Sequence, residues 1–169
     1  MWFLTQEGVD RYDGKYIKHY NFSDDSIKLD SRIALNWLYM DSGNILWVIG
    51  QKGRIFRYDS QHDKFKLAYI HPELIRNKPQ AFLNYGYLDK NDRIWLCYKD
   101  SITWYDIRTG TTLHMPTPVN GEITAIEQTD SNHFFIGTGN GLFHAGIEKG
   151  KLNIMPDKMV EGIGTSVHE

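Results

Sequence analysis

Residues 47–59 read WVIGQKGRIFRYD, and the same line returns three more times in the 169-residue chain. It is WFLTQEGVDRYD from Trp2, WLCYKDSITWYD from Trp95 and FIGTGNGLFHAG from Phe135. The leading aromatics stand 45, 48 and 40 residues apart. A period of this size belongs to four-stranded propeller blades or to stacked helix pairs. The residues decide for strands. Leu46/Val48 and Trp47/Ile49 alternate with period two, and β-branched and aromatic side chains dominate. Working outward, Asp41-Ser-Gly-Asn44 and Asp89-Lys-Asn-Asp92 place turn formers just before the Trp strands. All five prolines (Pro72, Pro79, Pro116, Pro118 and Pro156) fall between repeat units.

The reading is therefore all-β: about four repeats, each a propeller blade of four antiparallel strands. Blade units cover about 1–22, 33–70, 80–115 and 122–155. Strands are expected at 33–41, 44–50, 53–59 and 64–70 in the second unit and at 80–89, 92–98, 101–106 and 111–115 in the third. The fourth has them at 122–129, 132–138, 141–147 and 151–155. The first unit opens directly on its Trp strand, and 163–169 reads as the opening strand of a further blade. The Trp strands are apolar on both faces: Trp2/Leu4, Trp47/Ile49, Trp95/Cys97 and Phe135 on one, Phe3, Leu46/Val48, Ile94/Leu96 and Phe134/Ile136 on the other. Strands of that kind are pressed between neighbouring sheets. Val9, Ile55, Ile102 and Leu142 form a matching column in the next strand, and Lys15, Lys18, Lys64 and Lys66 mark the last strand as an exposed edge. The four units either close into a small ring or form an open arc, whose end faces are covered by neighbouring propeller blades or a second copy of the chain.

Composition narrows the function. Nineteen Lys and Arg against 21 Asp and Glu give a net charge of −2 with no basic block, which argues against nucleic acid as a partner. Apolar runs reach about five residues, too short for membrane contact by a spanning segment, and the start lacks the charge-then-apolar order of a signal peptide. Cys97 is the single cysteine, placed in a doubly buried strand and read as an inert core thiol. The Tyr-Asp pairs at 12–13, 58–59 and 105–106 end a strand and start a turn. Thr138-Gly-Asn-Gly141 joins two strands rather than opening a helix, so it is read as a hairpin and not a phosphate loop. The seven histidines show no metal-ligand spacing. No catalytic residue, metal site or cofactor is assigned.

The residues nominated for ligand binding precede the Trp strands. Trp37 and Tyr39 in the second unit match Tyr85 and Tyr87 in the third, where the fourth has Ala125 and Glu127. Such rings can stack on the apolar face of a sugar, or they can fill the space between blades. Arg32 and Arg76, in the long connections 21–32 and 71–80, are the polar members of the proposed site, since loops carry recognition on rigid scaffolds.

The run from Tyr39 to Gly53 resembles the two-component regulator propeller repeat: Asp, two residues, Gly, a short apolar step, Trp, then Ile-Gly-Thr and a Gly-Leu hairpin ending in Tyr-Asp. Leu88–Trp95 matches its first half, Phe135–Leu142 its second, and Trp2–Asp13 matches from the Trp onward. The third unit departs with Leu-Cys-Tyr, and the fourth replaces Trp by Phe135 and lacks Tyr-Asp. The resemblance implies a segment of a larger, seven-bladed propeller in the periplasmic sensor region of a Bacteroidetes hybrid two-component protein. It further implies an inner-membrane-anchored parent with a histidine kinase, and an oligosaccharide ligand. On this reading the segment is a non-catalytic sensor. The alternatives are a protein-interaction scaffold and a quinoprotein-like propeller enzyme, to whose repeats Tyr105-Asp-Ile-Arg-Thr-Gly110 is similar.

Overall fold

Period-two alternation interrupted by turn formers should make each repeat a meander of adjacent strands, and it does. The computed structural model describes residues 1–22, 34–72, 82–117, 121–149 and 151–156. The first sheet holds β1 (Trp2–Leu4), β2 (Val9–Tyr12) and β3 (Ile17–Tyr20). The second holds β4 (Leu35–Met40), β5 (Leu46–Gly50), β6 (Arg54–Asp59) and β7 (Lys64–Tyr69). The third holds β8 (Leu83–Leu88), β9 (Arg93–Tyr98), β10 (Ser101–Asp106) and β11 (Thr112–Pro116). The fourth holds β12 (Ile123–Gln128), β13 (His133–Thr138), β14 (Gly141–Glu148) and β15 (Lys151–Pro156). Every pairing is antiparallel between strands consecutive in the chain. Each strand expected in the second, third and fourth units is present among the described residues, most of them shorter than expected, β14 and β15 one residue longer. Pro116 and Pro156 close outer strands rather than lying between units, at the edge positions where a missing N–H is tolerated.

The sheets stack face to face in chain order. The opening strands β4, β8 and β12 run alongside one another as axial strands, and β1 lies against β4. Each leading Trp points forward onto the following sheet. Trp2 and Leu4 pack on Val48, Phe56 and Phe65; Trp47 and Ile49 on Ile94, Leu96 and Tyr105; Trp95 and Cys97 on Phe134, Ile136 and Ala145. Burying one Ile or Leu of these columns contributes about 1.5–3 kcal/mol, so the three interfaces supply much of the stability. This is a β-propeller-type stack of blades.

A polar clasp fixes each of the two central Trp rings. Asp41 accepts the Trp47 indole N–H at 2.7 Å and the backbone N–H groups of Gly43 and Ile45 at 2.9 and 2.8 Å. Asp89 accepts the Trp95 indole at 2.9 Å, the Asn91 and Arg93 backbone at 2.9 Å each, and Arg93 Nε at 2.6 Å. In the fourth repeat the corresponding pair is Thr129 and Phe135. The indole donor and its carboxylate acceptor are lost together, as they should be when either alone would leave a buried polar group unmet. At the far ends of the strands, Asp13, Asp59 and Asp106 each accept two backbone N–H groups of the following turn. The Tyr-Asp pairs are therefore turn builders.

Two expectations of burial are corrected. Phe3 is 45% exposed and Phe135 only half-buried, whereas Trp47, Val48, Trp95 and Leu96 are buried. A strand is covered on both sides only where a sheet stands on both sides. Among the described residues, nothing stacks behind Phe3 or in front of Phe135. The strand read at 163–169 lies outside the described residues.

Asp89→Ala is expected to destabilise the fold by on the order of 3 kcal/mol, because it strands buried donors costing about 1–3 kcal/mol each. Urea denaturation should show a lower midpoint at unchanged slope. An unchanged midpoint would mean the clasp is incidental.

Candidate functional site

A meander puts its connections alternately on two rims of the stack. One rim carries the Asp41 and Asp89 turns and those of Asp13, Asp59 and Asp106. It is tied across sheets: Ser42 donates from N and Oγ to Asp92 at 3.0 and 2.5 Å, Lys90 N donates to Gln128 Oε1 at 2.6 Å, and Asn91 Nδ2 to the Ser131 carbonyl at 2.5 Å. The opposite rim carries the hairpins at 5–8, 51–53, 99–100 and 139–140, the last residues of the outer strands and the first residues of the axial strands. Arg32 and Arg76 lie outside the described residues.

The four nominated aromatics lie on the axial strands and are all half-buried. Trp37 meets Tyr85 edge-on at 6.0 Å between ring centres, and the Tyr39 hydroxyl donates to the Gly86 carbonyl at 2.8 Å. Trp37 and Tyr39 pack into the core between the second and third sheets, Tyr85 and Tyr87 into that between the third and fourth. Burial pushes the phenols of Tyr39 and Tyr87 up. Gly86 permits the approach: a Cβ there would stand 3.0 Å from Trp37 Cε3 and from Ile49 Cδ1. The structure brings these rings together as packing between axial strands, with part of each ring left accessible. Cys97 is fully buried, and burial pushes its thiol up, away from the thiolate a nucleophile needs. The Tyr105–Gly110 line ends β10 and forms its turn, with Asp106 accepting the Arg108 and Thr109 N–H groups at 2.9 Å.

Two features have no motif in the sequence. The first is a knot on Asp63. Its carboxylate receives Tyr20 OH at 2.6 Å, Tyr58 OH at 2.5 Å, Arg11 Nη1 at 3.1 Å and Lys18 Nζ, joining the first and second sheets. The lysine, foremost, and the two phenols hold this carboxyl well below the usual range. Register was the only signal, since Arg11 and Arg57 face Trp2 and Trp47 in equivalent pairs. The second is a cavity of about 460 Å³ on the open face of the fourth sheet. Phe135 and His144, 4.4 Å apart, form part of its lining with Asp130, His133, Gly146 and Asn153.

With this geometry in hand, comparison with solved structures places the fold. The chain is similar to the extracellular domain of a hybrid two-component system from B. thetaiotaomicron, at 20% identity and TM-score 0.66, covering 91% of this chain and 23% of that one. The extracellular domain of a one-component system from the same organism matches at 16% identity and TM-score 0.65, over 92% of this chain and 20% of that one. Virginiamycin B lyase from Staphylococcus aureus matches at 16% identity and TM-score 0.66, over 93% and 52%. The chain thus spans about a quarter or less of the two extracellular domains and about half of the lyase. No family model and no curated protein matches it by sequence. What these likenesses share is the β-propeller-type fold.

The Asp63 knot has a pH signature. A carboxylate whose folded pKa is depressed contributes stability above its unfolded value, about 3.9, and loses it as pH falls toward the folded value. Asp63→Asn should therefore be less stable than the parent at pH 7 and should lose less stability between pH 5 and 2. Thermal unfolding across that range tests it, and parallel curves would refute it.

Proposed function

We propose that this chain is a non-catalytic ligand-binding segment of an extracytoplasmic sensor propeller, part of a two-component-type signalling protein that detects an oligosaccharide in the periplasm. The observation carrying the reading is the match of 91% of the chain to the extracellular domain of a hybrid two-component system. Support also comes from the repeat line, which resembles the propeller repeats of such sensors, and from the asymmetry of the two rims. The rim tied by Asp turns spends Ser42, Lys90, Asn91, Asp92 and Gln128 on bonds between sheets. The opposite rim exposes Phe82, Gln51, Lys99 and Asp100. A rim that offers an aromatic ring together with amide, ammonium and carboxylate groups suits a sugar, whose C–H face stacks while its hydroxyls hydrogen-bond. A rigid stack bearing such a rim can pass on binding only if the ligand has different affinities for two arrangements of the parent. The parent is then anchored in the inner membrane with a histidine kinase beyond it.

Calorimetry of this chain and of the intact parent ectodomain against a panel of oligosaccharides tests the reading. Saturable binding is expected, weakened about tenfold by Phe82→Ala, which corresponds to about 1.4 kcal/mol. Absence of binding by the intact ectodomain to every glycan would overturn the ligand class.

A further inference from the structure

The line Thr138-Gly-Asn-Gly141 turns the chain between β13 and β14, and neither the stacking rule nor the ligand reading uses it. An Asn side chain carries its amide carbon Cγ within reach of the next residue's backbone nitrogen, because attack there closes a five-membered ring. The next residue's own side chain ordinarily hinders that attack by crowding the nitrogen and restricting the backbone. Glycine, without a Cβ, does neither. Of the ten asparagines in the chain, Asn120 and Asn140 precede glycine. Asn120 lies outside the described residues.

The fold leaves Asn140 open to this chemistry. Thr138 and Gly141 form the last pair of the β13–β14 ladder, so Gly139 and Asn140 are the loop, and both are exposed. A Cβ built on Gly139 or on Gly141 would meet nothing within 4 Å apart from its chain neighbours, so the tip is uncrowded on either side of Asn140. Gly141 holds φ at +133°, a region in which glycine moves without penalty. Attack requires the Gly141 nitrogen to leave the last rung, and ladder ends open far more readily than ladder interiors. Asn140 N donates to Thr138 Oγ1 at 3.1 Å, and Thr138 Oγ1 donates to the Gly141 carbonyl at 3.2 Å. Neither bond occupies the attacking nitrogen. The other described asparagines are all followed by residues with side chains, and Asn36, Asn84 and Asn153 lie within strands.

We propose that Asn140 is a site of spontaneous covalent modification in the folded chain, passing through a succinimide to aspartate and isoaspartate. The Gly141 backbone N–H gives its proton to hydroxide, and the nitrogen adds to Asn140 Cγ. The Cγ–Nδ2 bond then breaks, and Nδ2 leaves as ammonia with a proton taken from water. Water opens the ring at either carbonyl. Cleavage between the ring nitrogen and Cγ gives an ordinary Asp, and cleavage at the main-chain carbonyl routes the backbone through Cγ. Either product puts a carboxylate where a neutral amide stood, against Gly121, on which a Cβ would lie 3.0 Å from Asn140 Nδ2. The isoaspartyl form also lengthens the two-residue loop by one backbone atom and disturbs the rung it closes. The hairpin lies on the rim to which ligand binding is assigned, so that rim gains negative charge. The modification does not depend on the ligand reading, because it is followed by mass with no ligand present.

Incubation of the folded 169-residue chain at mildly alkaline pH, followed by peptide mapping with mass spectrometry, tests it. Asn140 should convert to two acidic products, of which the isoaspartyl one accepts a methyl group from an isoaspartyl methyltransferase. Conversion should quicken as pH rises, since the attacking group is the deprotonated amide. Asn140→Gln, at an exposed position, should keep the parent's Trp fluorescence and lose the conversion at this site, because glutamine would have to close a six-membered ring. A urea-unfolded sample serves as the reference. Conversion at Asn140 in urea but not in the folded chain would mean that the hairpin protects it, and would overturn the proposal. Conversion confined to Asn120 would do the same.

Discussion

The structure depends on one contact made repeatedly: an aromatic ring in the second strand of a sheet, pressed forward onto the apolar back of the next. A ring that large is worth burying, but the indole carries an N–H that cannot be left unmet in a dry interface. The Asp six residues earlier resolves this for Trp47 and Trp95 by turning the chain and accepting the indole with the same carboxylate. One side chain therefore sets the turn, the ring orientation and the distance to the next sheet. The repeat's Asp-to-Trp spacing is the sequence trace of that coupling, and the joint exchange to Thr129 and Phe135 shows both halves changing together.

Stacking by this rule gives a body with unlike surfaces. One rim is short turns joined across sheets by Ser42, Asn91 and Lys90. The other rim holds the hairpins at 5–8, 51–53, 99–100 and 139–140 and the exposed side chains of Phe82, Lys99 and Asp100. The outer faces of the first and fourth sheets differ again: the first bears Met1, Phe3, Tyr12 and Ile17 around the Asp10–His19 pair, and the fourth is hollow. Such a scaffold does not dictate function, and the fold is shared by extracellular sensor domains and by a lyase.

Much of the molecule was legible before any coordinates. Period-two alternation placed the strands, turn formers placed the hairpins, and lysines marked the outer edge, because these are local consequences of side-chain shape and solvation. Trp37, Tyr39, Tyr85 and Tyr87 were legible as equivalent positions, yet a row of rings reads the same whether it faces a ligand or another sheet. Gly86 shows how closely Trp37 packs on the next axial strand, a contact no spacing rule foretells. The Asp63 knot was not legible, since Arg11, Lys18, Tyr20 and Tyr58 come from strands far from it in the chain and no spacing rule links them.

The sequence by itself determined the repeat, the all-β meander and the Asp–Trp pairing, since each is settled within a dozen residues by backbone preference and the need to satisfy one indole. Only the tertiary structure decided which way each ring points, that no sheet among the described residues covers Phe3 or Phe135, and that the candidate binding aromatics pack half-buried between axial strands. Those facts depend on which sheet stands beside which, and stacking order brings together residues that lie some fifty positions apart in the chain.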